Sequence, residues 1–245
     1  MASKYELEVI GFDIASCVLA EKYGAHRIEL CANPKEGGTT PSLGMIKKAR
    51  SVTQIQIFPI IRPRGGDFLY SDEEFEIMKT DILTCKEAGC DGVVIGLLKQ
   101  DGTIDIPRTT ELVLLAGNMD VTFHRAFDRV SDPKQSLEDV IATGCKRILT
   151  SGQHPTVLEG LKSLKALVEQ ARDRIIIMPG SGVRSGNIIE IAKETGAKSF
   201  HSSAGGILNG KMTYKNPEMK EELTYASIDI EELKNIDYQL KTHFN

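Results

Sequence analysis

Val121-Thr122-Phe123-His124, Asp132-Pro133 and Arg147-Ile148-Leu149-Thr150 read together as one strand, helix and strand. The first run is β-branched and aromatic, which suits a strand. Asp132 is a helix cap, and Pro133 sits in the first turn, where a missing N–H costs nothing. The helical stretch runs to Thr143, and Gly144 stops it. The next apolar run begins three residues later. Working outward, the same unit recurs along the chain. Strands are read at Leu7–Ile10, Arg27–Cys31, Ile55–Ile61, Gly92–Ile95, Val121–His124, Arg147–Thr150, Ile175–Met178 and Lys198–His201, with starts 20 to 37 residues apart. That spacing leaves room for a crossover helix after each strand. Asp13 and Ser71-Asp72-Glu73-Glu74 open further helices, and Gly24, Gly89, Gly117 and Gly196 close others. Eight such units in 245 residues predict an α/β fold, a single-domain (β/α)8 TIM-type barrel over 1–245. An open doubly wound sheet usually carries fewer strands at this length. The polar stretch 205–227 is read as a loop, and 228–241 as the C-terminal helix.

Composition excludes several classes. Hydrophobic residues make up 41% and charged residues 26%, which is globular and not disordered. Thirty basic against 34 acidic residues give a net charge of −4, with no basic stripe, so nucleic acid is not an expected partner. No apolar run approaches the roughly 18 residues of a membrane span. Met1-Ala2-Ser3-Lys4-Tyr5-Glu6 lacks the apolar core of a signal peptide, so a cytoplasmic location is expected. The five scattered cysteines are then expected to be reduced thiols.

Alternation along the strands places the chemistry. Leu7 and Val9 share one side of the first strand, Ile28 and Leu30 one side of the second, and Val121 and Phe123 one side of the fifth. If these apolar sides meet the helices, Glu8, Glu29, Cys31 and His124 point inward, and Arg62 follows at the end of the third strand. Inward carboxylates need partners; two acids, an arginine and a histidine converging there would supply them. Glu29, Cys31, Arg62, His124 and His201 fall at the C-terminal strand ends, where barrel active sites lie. Glu29, His124 and Arg62 are therefore the candidate catalytic residues. Ile61-Arg62-Pro63-Arg64-Gly65-Gly66-Asp67-Phe68 offers Arg62 and Arg64 as an anion clamp. Phe123-His124-Arg125-Ala126-Phe127-Asp128 offers His124 as a proton shuttle, with Asp128 orienting it or holding Arg125. Ser151, Gly180, Gly182, His201 and Ser203, with Glu8, complete the expected ligand-binding set. The loops after the last two strands are a common phosphate site in barrels.

These stretches also carry a resemblance. Arg27-Ile28-Glu29-Leu30-Cys31, Glu36-Gly37-Gly38-Thr39-Thr40-Pro41-Ser42, Ile61 to Phe68 with Tyr70-Ser71, Phe123 to Asp128, Leu149-Thr150-Ser151-Gly152 and Met178-Pro179-Gly180 resemble the copper homeostasis protein CutC family. The likeness runs from Glu6 to about Ser203. It implies a (β/α)8 barrel, a cytosolic location, a homodimer or higher homo-oligomer, and a role in copper homeostasis with Cu(I) held by cysteines near the ends of the first two strands. Cys31 matches the second-strand position, and Ile10 stands at the first. The rival expectation is an enzyme of unassigned reaction on a small phosphorylated or carboxylated metabolite, with His124 and Glu29 as acid and base.

Overall fold

The computed structural model describes residues 4–220 and 223–244. The N-terminal reading on Met1-Ala2-Ser3 and part of the 205–227 segment lie outside them. Strands and helices alternate: β1 (Glu6–Gly11), α1 (Ile14–Lys22), β2 (Arg27–Leu30), α2 (Leu43–Val52), β3 (Gln56–Pro59), α3 (Asp72–Glu87), β4 (Gly92–Ile95), α4 (Ile106–Ala116), β5 (Asp120–Phe123), α5 (Pro133–Thr143), β6 (Arg147–Thr150), α6 (Leu161–Ala171), β7 (Ile176–Pro179), α7 (Ile188–Thr195), β8 (Ser199–Ser202), β9 (Gly205–Asn209), β10 (Thr224–Ile228) and α8 (Ile230–Phe244). The caps follow the sequence signals. Asp13 accepts the Ser16 N–H, Ser71 and Glu74 close a capping box, and Asp132 accepts from Lys134 and Gln135.

The parallel strands form two ladders, β3-β2-β1-β8 and β4-β5-β6-β7. A parallel bridge between Ile60 and Val94 joins them on one side, where the Ile61 N–H donates to the Val94 carbonyl at 2.8 Å. On the other side β7 packs beside β8. The cyclic order is that of the expected (β/α)8 barrel. Among the described residues no helix is long and apolar enough to cross a membrane.

The strand faces divide as alternation requires. Leu7, Val9, Ile28, Leu30, Ile57, Phe123 and Ile148 are fully buried in a continuous apolar layer beneath the helices. Each such side chain contributes about 1.5–3 kcal/mol of burial. A second, smaller apolar cluster of Cys31, Phe58, Ile60 and Val94, with Ile10 and Phe12 against it, lies apart from that layer on the inward-facing strand positions. Around it sit charged groups. The guanidinium carbons of Arg27 and Arg147 lie 4.9 and 5.1 Å from the centre of the Phe58 ring.

Two departures from the sequence reading concern the C-terminal part. Within 205–227, expected to be a polar loop, β9 and β10 pair as an antiparallel hairpin with Leu208 opposite Tyr225. Fourteen residues lie between the end of β9 and the start of β10, too many for a hairpin turn signal, and Gly205-Gly206 hides the strand start. Helix α8 begins two residues later than expected, where the Asp229 carboxylate accepts from Glu231 and Glu232. It runs on to Phe244, whose ring stacks on Tyr5 at 5.5 Å.

The barrel interior closes around Phe58 because β4 opposes it with no side chain. A Cβ on Gly92 would meet the Phe58 ring at 2.4 Å and the Asp120 carbonyl oxygen at 2.6 Å. Gly92→Ala is therefore expected to cost about 1–3 kcal/mol in urea unfolding; an unchanged midpoint would contradict this packing.

Candidate active site

The C-terminal strand ends surround a cavity of about 300 Å³. Ile10, Phe12, Ile60, Phe68 and Leu149 supply apolar wall, while Glu29, Arg62, His124, Arg125 and His201 supply polar groups. Ser181, Gly182 and Ser203, from the loops after β7 and β8, complete the rim. Glu29, Arg62 and His124, from three different strand ends, thus meet at one hollow.

Beneath the cavity runs a chain of buried charges. Strand register places Glu8 beside Arg27 on one side and His201 on the other. The Arg27 Nε–H donates to Glu8 Oε2 at 2.5 Å, and His201 Nδ1 lies 2.7 Å from Glu8 Oε1. On the far edge of the same ring, His201 Nε2 lies 3.7 Å from Glu29 Oε2. Burial alone would raise the pKa of Glu8, but Arg27 and His201 outweigh it and hold that carboxyl at about 2. Glu29 has no arginine of its own. Burial pushes its pKa up to about 7, with His201 pulling down and Glu8 adding to the rise. For His201, burial is the largest effect and disfavours the cation, yet the bond to Glu8 and the two carboxylates together raise its pKa. The result is a hydrogen-bonded path from Arg27 through Glu8 to His201, with Glu29 at its cavity end.

His124 is set differently. Its Nδ1 accepts the N–H of Ala126 at 3.0 Å, so the ring proton resides on Nε2. That Nε2 is buried and has no hydrogen-bond partner among the described residues. Burial, then the nearby charge of Arg62, lowers the His124 pKa to about 3. The ring is therefore a neutral donor at physiological pH. Space for it comes from Gly96, directly after β4, where a Cβ would lie 2.3 Å from the imidazole.

Several expected ligand residues have other occupations. Arg62 lines the cavity, but its terminal nitrogens donate to the carbonyls of Glu36, Gly38 and Gly66. It secures the loops and lends positive charge to the wall. Arg64 is turned away, bonded to Glu74 at 2.6 Å and paired with Asp67, so the two arginines do not form a clamp. Asp128 holds Arg125 and not His124; it also accepts from Thr150, Ser151 and Gln153. Asp128 and Ser151 are thus a hub that fixes the loop after β6. Gly180 packs against Leu149 and His201, behind the rim that Gly182 lines. Glu29 neighbours His201, and no hydrogen bond links it to His124 among the described residues. Arg27, the counterion of Glu8, was not singled out by the sequence reading. Its signal was there: it shares the inward parity of Glu29.

Neither Cys31, the expected copper ligand, nor the buried carboxylate–histidine group of the structure fits Cu(I). Cys31 is buried among Phe58, Ile60 and Val94, and burial, Glu29 and Glu8 raise its thiol pKa well above the usual range. Cu(I) requires thiolate, with a second soft ligand that Ile10 does not supply. Glu8, Glu29 and His201 bring possible ligand atoms within 4.8 Å of one another. These donors are hard or borderline, however, and both Glu8 oxygens and His201 Nδ1 are already engaged.

The profile of the CutC family matches residues 5–206. The chain belongs to the CutC family. A CutC family protein of Chromobacterium violaceum is 52% identical over 209 residues, 85% of each chain. The human copper homeostasis protein cutC homolog is 46% identical over 215 residues, 88% of this chain and 79% of that one. The crystal structure of the Streptococcus agalactiae CutC protein superposes with a TM-score of 0.78 at 38% identity, covering 81% of this chain and 98% of that one. Thiamine phosphate pyrophosphorylase of Pyrococcus furiosus, at 16% identity and a TM-score of 0.61 over 99% and 98% of the two chains, shares the fold alone.

The raised pKa of Glu29 has a stability consequence. An acid whose folded pKa exceeds its unfolded value of 4.5 weakens the fold as pH climbs from 4.5 to about 7, and the cost is complete above that. Glu29→Gln should therefore stabilise the protein by about 3 kcal/mol at pH 8 and by little at pH 4.5. Denaturation at both pH values checks this, and an equal effect at both would contradict it.

Proposed function

We propose that this CutC family protein works in copper homeostasis, in the cytosol, and that its working part is the barrel-mouth cavity. That cavity serves as an enzyme site for a small carboxylated or phosphorylated metabolite. Kinship supports the first half: the human and mouse relatives carry the name copper homeostasis protein cutC homolog. Geometry supports the second, and one observation carries it. His124, on the wall of the cavity, has a buried Nε2–H with no hydrogen-bond partner among the described residues. Leaving such a group unsatisfied costs about 1–3 kcal/mol, and a ligand oxygen removes that cost. Arg125, half-exposed at the rim and held by Asp128 and Ser151, adds a fixed positive charge. Ser181-Gly182 and Ser203 occupy the loop positions that many barrels use for phosphate. On this reading copper tolerance depends on the chemistry of the cavity and not on metal held by Cys31.

Two measurements test it. Inorganic phosphate or oxalate at millimolar concentration should raise the melting temperature of the wild type by mass action, and His124→Phe or Arg125→Ala should abolish the shift. In cells lacking the protein and challenged with copper, Cys31→Ala should restore tolerance as well as wild type, and His124→Phe should not. The converse pattern, with Cys31→Ala inactive and His124→Phe active, would return the function to a thiolate site.

A further inference from the structure

Glu29 and His124 differ in a way that selects a reaction class. Glu29 stands at the end of β2 and His124 at the end of β5, three strands apart around the barrel, and both line the cavity that would hold a guest. Glu29 is backed by a path of ionisable groups, His201 with its Nε2 at 3.7 Å and, behind that ring, the Glu8 carboxylate. His124 has no such path. Its Nδ1 is tied to the backbone of Ala126, and only the Nε2–H remains to act. One wall therefore offers a base, and the other a fixed neutral donor.

Covalent chemistry has little support in the lining. No lysine lines the cavity among the described residues. The Ser181 hydroxyl donates to the Pro155 carbonyl at 2.9 Å, and the Ser203 hydroxyl accepts the Gly205 N–H. Neither is bonded to a base that would activate it. Ile10, Phe12, Ile60, Phe68 and Leu149 supply apolar surface for the carbon skeleton of a guest.

Resting on the enzyme reading above, we infer that the cavity catalyses proton abstraction at carbon next to a carbonyl, with Glu29 as the base and the His124 Nε2–H as the donor to the carbonyl oxygen. The substrate class is a small hydroxy- or oxo-compound bearing a terminal carboxylate or phosphate. Glu29 Oε takes the C–H proton, and the pair of that bond becomes the C=C of an enolate. The carbonyl π pair moves onto oxygen, where His124 receives the charge. Return of the proton to the same carbon restores the carbonyl and regenerates Glu29, so the cycle is redox-neutral and needs no co-reactant. A neutral imidazole suits a developing oxyanion and keeps its proton through the cycle.

The test is deuterium wash-in. Dihydroxyacetone phosphate, glyceraldehyde 3-phosphate, hydroxypyruvate and pyruvate are each incubated with the protein in D2O, and loss of the α C–H signal is followed by proton NMR. Exchange is expected on at least one of the four. Glu29→Gln should slow it by about 10²–10⁴-fold and His124→Phe by about 10²–10³-fold. Glu29→Asp, which keeps the acid, should retain measurable exchange, and circular dichroism confirms that each variant is folded. Binding of phosphate or oxalate without exchange on any of the four would overturn this inference and leave the enzyme reading standing. Exchange that survives Glu29→Gln would overturn it as well. Absence of any anion binding would remove the enzyme reading, and this inference with it.

Discussion

The contact between Arg27 and Glu8 inside the barrel, 2.5 Å long, governs how the interior is used. A lone buried carboxylate would be very costly, and one with a bonded arginine is tolerable. Parallel register across β8, β1 and β2 brings His201, Glu8 and Arg27 side by side, so the pairing is built into the sheet. Glu8 is thereby fixed as the permanent anion. Its claim on Arg27 leaves Glu29, one layer higher and equally buried, with only His201 for company. The acid that lacks a counterion is the one that faces the cavity.

The same division separates Glu29 from His124. Burial drives both toward neutrality, shifting their pKa values in opposite directions. The carboxyl rises to about 7, and the imidazole, with Arg62 nearby, falls to about 3. Groups whose environments push their pKa values apart take separate acid, base and donor roles. Arg62 contributes by charge and by securing three loop carbonyls, and Gly96 contributes by leaving room for the imidazole ring. The cavity is therefore shaped by groups that never need to touch a guest.

Strand alternation made much of this readable in advance. Parity alone placed Glu8, Glu29, Cys31 and His124 inward, and strand-end position placed Glu29, Arg62 and His124 around one mouth. What parity does not reveal is which partner a long side chain reaches. Arg64 is claimed by Glu74, and the Asp128 carboxylate is filled by the Ser151 and Gln153 amides, which are more than twenty residues away. Arg27 escaped notice because attention to strand ends passes over the start of a strand. Cys31 matched its family position, yet its neighbours Phe58, Ile60 and Val94, from β2's neighbour and beyond, make it a core residue. The β9–β10 hairpin was hidden because its two strands are paired across a long insertion.

Nitrogen-15 NMR of the histidine side chains tests the arrangement most directly, because it reports tautomer and charge at each ring. His124 is expected to remain neutral, protonated on Nε2, from pH 8 down to pH 5. His201 is expected to hold a proton on Nδ1 throughout that range. An imidazole at position 124 that titrates near pH 6.5, or carries its proton on Nδ1, would contradict the assignment of donor and base on which the cavity's chemistry rests.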